Sequence, residues 1–461
     1  MSLNFQKCVE KVGRFYINSD LTLQVNGVLN KPIIKEFFNN FTANKYKVDF
    51  DLIGDLEFKI GDAKKPILSE NNYVINVENN GIYAVAKNAK FLVKAFISLL
   101  GYIKFDDNGN FYIPALTLNN NLNGVLSAHY CLFYDTKLYE FERFVRFIGA
   151  LGYTHLIIEF WGSYRYKTLP ELGWKNAYGY DDIKPIINIA NDLGVEVCPM
   201  FNHWGHASQC RVMHGKHVVL NQNPALYYLF DESGWCYNYK SKKVKELLKN
   251  VRNELIELCG DGEYFHIGCD EAYGFNYTEE EINGVTNFIN EINADLQRKG
   301  RKTIMWGDML LSKASFNSDN VYCTCAPTKE KAIDIINALD KSIIIADWQY
   351  HAKNSPVESC KFLLNYGFNV IVCPWDRGVE EVKSCIKTAK EENLTGVMHT
   401  TWHTLTSGMP YVYYTADSYL NDCGTYRNAV LKTASILRKV YLTNGDYEKS
   451  GFAPYDIGVN V

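Results

Sequence analysis

The chain has no excess of charge of either sign. Its 48 Lys and Arg stand against 52 Asp and Glu, a formal net charge of -4. No global basic field is present to hold nucleic acid, so nucleic acid is not an expected partner. It also lacks any apolar run of about 18 residues that could cross a bilayer, which removes the membrane as a partner. Met1 to Arg14 has no long apolar stretch behind a basic one, so no signal peptide is expected. No repeat at solenoid periods and no low-complexity tract interrupts the chain. The 13 Cys show no framework spacing, and several, such as Cys198 and Cys373, sit in apolar strand-like runs where thiols are common. That pattern points away from a disulfide scaffold and toward a reducing, cytoplasmic setting.

What is present is aromatic. Aromatics make up 14% of the chain, including 8 Trp; most of these must be core, but Trp in excess also suits flat ligands such as sugar rings. Two textures follow one another. Residues 1–122 are rich in Asn and Lys and carry short alternating runs. Tyr73–Val77 and Ile82–Ala86 read as strands joined by an Asn79-Asn80-Gly81 turn, and Asn88 to Leu100 reads as a helix that stops at Gly101. This part reads as a small α+β domain, with Asn119-Asn120-Asn121 as a linker. Over 123–461 short apolar or β-branched runs alternate with amphipathic helices. The strand expectations are Val125–Ala128, His155–Phe160, Val195–Phe201, Tyr264–Ile267, Thr303–Trp306, Ile343–Ala346, Val370–Cys373 and Gly396–His399. This alternation fits an α/β class protein with a (β/α)8 TIM barrel, whose longest insertion, about Asn202 to Ser241, follows the third strand.

A barrel demands chemistry at the C-terminal ends of its strands. Those ends carry Glu159 and Trp161; Asn202, His203, Trp204 and His206; Asp270 and Glu271; Trp306 and Asp308; Asp347, Trp348 and Tyr350; Trp375, Asp376 and Arg377; Trp402 and His403. Indole walls with acids between them suit a pyranose, whose apolar faces stack while its hydroxyls need polar partners. The fourth strand ends in adjacent carboxylates, Asp270-Glu271. Alternation along a strand sends neighbours to opposite sides, so the two are poorly placed to flank one bond as an acid and nucleophile pair. They suit unequal roles: Glu271 protonates a leaving oxygen while Asp270 holds an acetamido group that serves as its own nucleophile. His203-x-x-His206 lacks a third ligand and Cys323-x-Cys325 lacks zinc spacing, so neither a metal nor a cofactor is expected. His266 reads as a structural hydrogen bonder.

The run His266-Ile267-Gly268-Cys269-Asp270-Glu271 resembles the signature of family 20 glycoside hydrolases, the β-N-acetylhexosaminidases, usually His-x-Gly-Gly-Asp-Glu. Cys269 departs from it and is similar to the hexosaminidase D branch. Leu156-Ile157-Ile158-Glu159-Phe160, Asn176-Ala177-Tyr178, Gly205-His206, Trp306-Gly307-Asp308-Met309, Asp347-Trp348-Gln349-Tyr350 and Thr401-Trp402-His403 fit in order. The resemblance covers about residues 124–420. It implies exo-acting hydrolysis of terminal β-linked GlcNAc or GalNAc, with terminal N-acetylhexosamine glycans as partners. It implies Glu271 as general acid/base with a raised pKa, Asp270 orienting the acetamido group, and Trp306, Trp348 and Trp402 walling the pocket. Tyr350 becomes a donor to the acetamido carbonyl, and His206 and Glu159 bind hydroxyls or support those that do.

Two departures concern hydroxyl recognition. Most of the family carries an Arg in the first barrel strand, and Gly124–Tyr130 has none. The family's Tyr-x-Asp after strand seven is replaced by Trp375-Asp376-Arg377, of which Asp376 and Arg377 are candidates for the missing contacts. Two rivals stand beside the leading reading: a retaining glycosidase on non-acetylated sugars with a nucleophile such as Asp376, and a carbohydrate-binding barrel without catalysis.

Overall fold

A computed structural model describes residues 6–26, 31–62, 65–133, 136–207, 220, 223–317, 319–353, 356–402, 405–422 and 424–440. The first part is a mixed sheet. Its strands are β1 (Gln6–Ile17), β2 (Leu21–Asn26), β3 (Val48–Phe50), β4 (Leu56–Ile60), β5 (Tyr73–Glu78), β6 (Gly81–Ala86), β7 (Lys104–Phe105) and β8 (Phe111–Asn120). They run in the order β1-β8-β5-β6-β4-β2-β3, with β7 against β8. The expected hairpin is there, with Tyr73 opposite Ala86 and Glu78 opposite Gly81. The expected helix runs Ala89–Leu100, and Asn88 caps it by accepting from Phe91 N–H. The Asn119-Asn120-Asn121 linker is a correction. Asn119 and Asn120 belong to β8, opposite Lys7 and Gln6, because the backbone of an Asn run pairs as well as any other when two strands flank it.

The second part is a closed barrel of eight parallel strands. These are β9 (Val125–Cys131), β10 (His155–Glu159), β11 (Glu196–Met200), β12 (Tyr264–His266), β13 (Lys302–Trp306), β14 (Ile344–Asp347), β15 (Asn369–Val372) and β16 (Gly396–Thr400). Closure comes through β16 and β9, where Gly396 pairs with Val125 and Thr400 with His129. The apolar runs form strands because both faces are covered. Alternate residues such as Val125, Ile157, Met200, Ile304, Ala346 and Met398 fill the lumen, while Leu126, Ile158 and Val197 pack outward into the larger core. Most strand ends shift by one residue from expectation, and two of the differences bear on the site. Strand β9 runs on to Cys131, which puts His129 and Cys131 in the barrel wall, and β12 stops at His266, before the carboxylates.

Helices lie between the strands, as the alternation requires: Tyr180–Asp192, Lys242–Cys259 and Glu279–Arg298 among them. The helix Leu405–Asn421 holds Pro410 inside it and has no counterpart in the periodicity reading. The helical side of the N-terminal sheet meets the barrel through polar contacts. Lys94 is buried and donates to Tyr153 O at 2.5 Å, and Arg146 reaches Glu36 at 2.7 Å. Burial pulls the Lys94 ammonium down to about 7. Among the described residues no helix is long and apolar enough to cross a membrane.

Candidate active site

Just past β12 the backbone leaves the strand in an unusual way. Gly268, Cys269 and Glu271 all have positive φ, at 66°, 75° and 47°. A left-handed backbone at position 269 explains why the motif usually holds Gly there; Cys269 adopts it fully buried. Alternation therefore does not govern 270 and 271, and this corrects the argument from strand geometry. Asp270 and Glu271 both line one pocket of about 470 Å³. Among the described residues ten non-glycine positions have positive φ, and Trp161, His206, Cys269, Glu271 and Trp402 at the strand ends are five of them. Such conformations cost about 1–3 kcal/mol each and persist where the surroundings enforce them, as at binding sites.

Two loops lock the acid pair in place. Gly205 lies so close to the turn that a Cβ there would sit 1.8 Å from Asp270 O. The next residue, His206, places Nε2 2.8 Å from Glu271 Oε2 and 3.6 Å from Asp270 Oδ2. Trp235, from the long insertion, stacks on His206 with ring centroids 4.6 Å apart and donates its indole N–H to Glu271 O at 2.6 Å. Nothing in its loop-like sequence marked Trp235. On the other side Asp308, after β13, accepts Glu271 N–H at 2.8 Å and Trp348 Nε1–H at 3.2 Å.

The electrostatics follow from crowding acids in a buried space. Asp270 is almost fully buried, and its Oδ1 has no hydrogen-bond partner among the described residues. Burial first, then the charges of Asp308, Glu271 and Glu159, push its carboxyl well above the usual range. Burial also lifts Asp308, to about 6, with Glu271 adding repulsion.

The opposite wall is aromatic: Trp348, Tyr350, Trp375 and Trp402 line the pocket, and Trp161 joins them from β10. Tyr350 is held by its neighbours. Trp402 Nε1–H donates to its hydroxyl at 2.7 Å and Thr400 Oγ1 lies at 3.1 Å. Burial holds the phenol far above its ordinary pKa, so it keeps its proton. With the indole donating, that proton is left to be given.

Several expected contacts sit elsewhere. Trp306 is fully buried and does not line the pocket; it packs behind Trp402, ring centroids 5.7 Å apart, because its parity on β13 points it into the lumen. Glu159 is also buried beneath the pocket, with Asn202 Nδ2 and His129 Nε2 on its carboxylate. Asp376 does not line the pocket, and its Oδ2 accepts from Ser407 Oγ at 3.5 Å, which deprives the non-acetylated reading of its nucleophile. Arg377 does reach the rim, its guanidinium 3.9 Å over Trp375. His203 is buried with Nδ1 2.6 Å from Phe201 O, and burial pulls it down to about 3, so it shares no site with His206. His266 accepts Gly268 N–H on Nδ1, a structural bond. His403 lies outside the described residues. Unforeseen in sequence were Tyr322 and His351, which close one side of the pocket together with Cys323 and Cys325, whose Cys-x-Cys spacing gave no hint of a place there.

The comparisons with known proteins now fit this geometry. The sequence profile of glycosyl hydrolase family 20, catalytic domain, matches residues 154–407. Lacto-N-biosidase of Bifidobacterium bifidum is 24% identical over 239 residues, 47% of this chain and 18% of that protein. Hexosaminidase D of Bos taurus is 28% identical over 127 residues, 27% of this chain and 34% of that protein. The chain thus spans well under half the length of these two relatives. In structure it resembles the Flavobacterium johnsoniae chitobiase, with a TM-score of 0.71 at 14% identity over 96% of this chain and 73% of that one. At that identity the likeness speaks for the fold.

Proposed function

The chain belongs to glycosyl hydrolase family 20, and on that footing we propose that it is an exo-acting β-N-acetylhexosaminidase, removing terminal β-linked GlcNAc or GalNAc with retention by substrate-assisted catalysis. One observation carries the reading. Asp270 and Glu271 face the same pocket as unequal partners, Glu271 tied to His206 and Asp270 with a buried oxygen that none of the described residues engages. In this mechanism Glu271 gives its proton to the glycosidic oxygen as the bond to C1 breaks. The acetamido carbonyl oxygen attacks C1 from the other face, and Asp270 takes the amide N–H and balances the oxazolinium charge. Water then attacks C1, losing its proton to Glu271, and the ring opens with retention. Tyr350 donates to the acetamido carbonyl and Trp348, Trp375 and Trp402 enclose its methyl and the sugar face. Arg377 at the rim is the candidate for hydroxyls that a first-strand Arg does not reach here. The buried thiols Cys198, Cys373 and Cys385 suit a reducing, cytoplasmic setting.

The test is a panel of chromogenic β-linked GlcNAc, GalNAc, glucose and galactose. The reading predicts turnover of the acetamido sugars with at most traces on the others. Turnover of plain glucosides alone would remove it.

A further inference from the structure

Beneath the pocket floor three side chains from adjacent strands converge. His129 and Cys131 come from β9 and Glu159 from β10, and Cys131 stands opposite Glu159 in register. Parity turns all three inward, His129 and Cys131 with Val125 and Glu159 with Ile157. All three are buried. His129 Nε2 lies 3.0 Å from Glu159 Oε2, Cys131 Sγ lies 3.4 Å from that oxygen, and Sγ and Nε2 are 3.8 Å apart. These atoms form one closed triangle of nitrogen, sulfur and oxygen.

From these contacts we propose that His129, Cys131 and Glu159 supply three of the four ligands of a zinc ion in the barrel wall. Bond lengths of about 2.0–2.1 Å to nitrogen, about 2.3 Å to sulfur and about 2.0–2.2 Å to oxygen give tetrahedral edges of about 3.3–3.6 Å. Each side of the triangle falls within about 0.3 Å of that range's matching edge. The charge sum points the same way. Strand β9 brings no Lys or Arg to Glu159, and a buried carboxylate needs a positive partner. A divalent ion with one carboxylate, one thiolate and one neutral imidazole is a neutral group, the state a low-dielectric interior favours. Binding displaces the thiol proton to solvent, shifts the imidazole proton from Nε2 to Nδ1, and forms bonds to Sγ, Nε2 and Oε2, with no redox step. Borderline-soft zinc suits the mixed donor set. Asn202 supplies the outer support, its Nδ2–H on Glu159 Oε1 at 2.9 Å, which fixes the ligating carboxylate.

The position gives the site its purpose. The His129 ring packs edge-on against Trp402, centroids 4.7 Å apart. Zinc would pin the ends of β9 and β10 and so hold the floor on which that indole stands. The inference is independent of the substrate reading, since a metal measurement needs no turnover.

Protein produced with zinc in the medium is analysed for metal by mass spectrometry. About one zinc per chain is expected, with Cys131→Ser reduced severalfold. Cobalt introduced during refolding should give thiolate-to-cobalt absorption in the near ultraviolet, lost in Cys131→Ser. Should that variant fail to fold, X-ray absorption on the parent zinc protein decides: one sulfur among nitrogen and oxygen neighbours is expected. Metal-free parent protein after zinc supplementation overturns the site and leaves a hydrogen-bonded trio. So does a zinc environment without sulfur or with several.

Discussion

The lip of the barrel and its floor hold the same kind of group in opposite states. At the lip, Asp270 keeps a buried oxygen without a partner among the described residues, and Asp308 shares one pocket with two other carboxylates. At the floor, Glu159 is equally buried but each oxygen is engaged, by Asn202 on one side and by His129 and Cys131 on the other. The difference separates use from support. A buried acid with both oxygens engaged fixes structure, whereas one with an oxygen left open is held ready for a ligand. The backbone agrees: the left-handed residues Cys269 and Glu271 lie at the lip, while β9 and β10 run as regular strands to the floor.

The sharpest way to break the contrast is to remove the carboxyl proposed as the lip's proton donor. Glu271→Gln should lower turnover on substrates with poor leaving groups about 10²–10⁴-fold, measured as kcat against an aryl glycoside with a good leaving group, which should suffer far less. Equal loss on both would take the acid role from Glu271. Tyr350→Phe comes next. It removes one donor to the acetamido oxygen and should cost about tenfold to a hundredfold in kcat/KM on acetamido substrates, with the fold intact by circular dichroism; an unchanged rate would show that the phenol only supports Trp402.

The smallest expected effect concerns stability. Burial raises the folded-state Asp308 carboxyl to about 6, from 3.8 as a free group. The folded state therefore holds more protons than the unfolded one between those values. Asp308 thus contributes stability at low pH that is lost as pH rises through about 6. Asp308→Asn should flatten the fall in Tm across that window, read by scanning calorimetry. A parallel slope in parent and variant would mean that Asp308 is not raised.

The lip was legible in the sequence because its signals are local. Trp348, Trp375 and Trp402 follow short apolar runs, and Asp270-Glu271 ends one. The floor was hidden by a strand end: with β9 expected to stop at Ala128, His129 and Cys131 fell beyond it, and nothing tied them to Glu159 thirty residues on. Trp306 was misplaced for a related reason, since a strand-end position does not say whether the final residue points into the lumen or over the rim. In the N-terminal sheet, β1 finds its partner in β8, about a hundred residues away, and an exposed strand such as Lys7–Val12 shows no alternation to read. The helix Leu405–Asn421 hid behind Pro410 and is held by packing rather than propensity.

The account turns on the acetamido group being the nucleophile, with Asp270 as the residue that holds it. A thiazoline mimic of the cyclised intermediate tests this directly. The parent enzyme should bind it as a competitive inhibitor, and Asp270→Asn should weaken that binding by about tenfold or more while leaving the fold unchanged. A parent protein that hydrolyses acetamido sugars yet does not bind the thiazoline at all would contradict the claim.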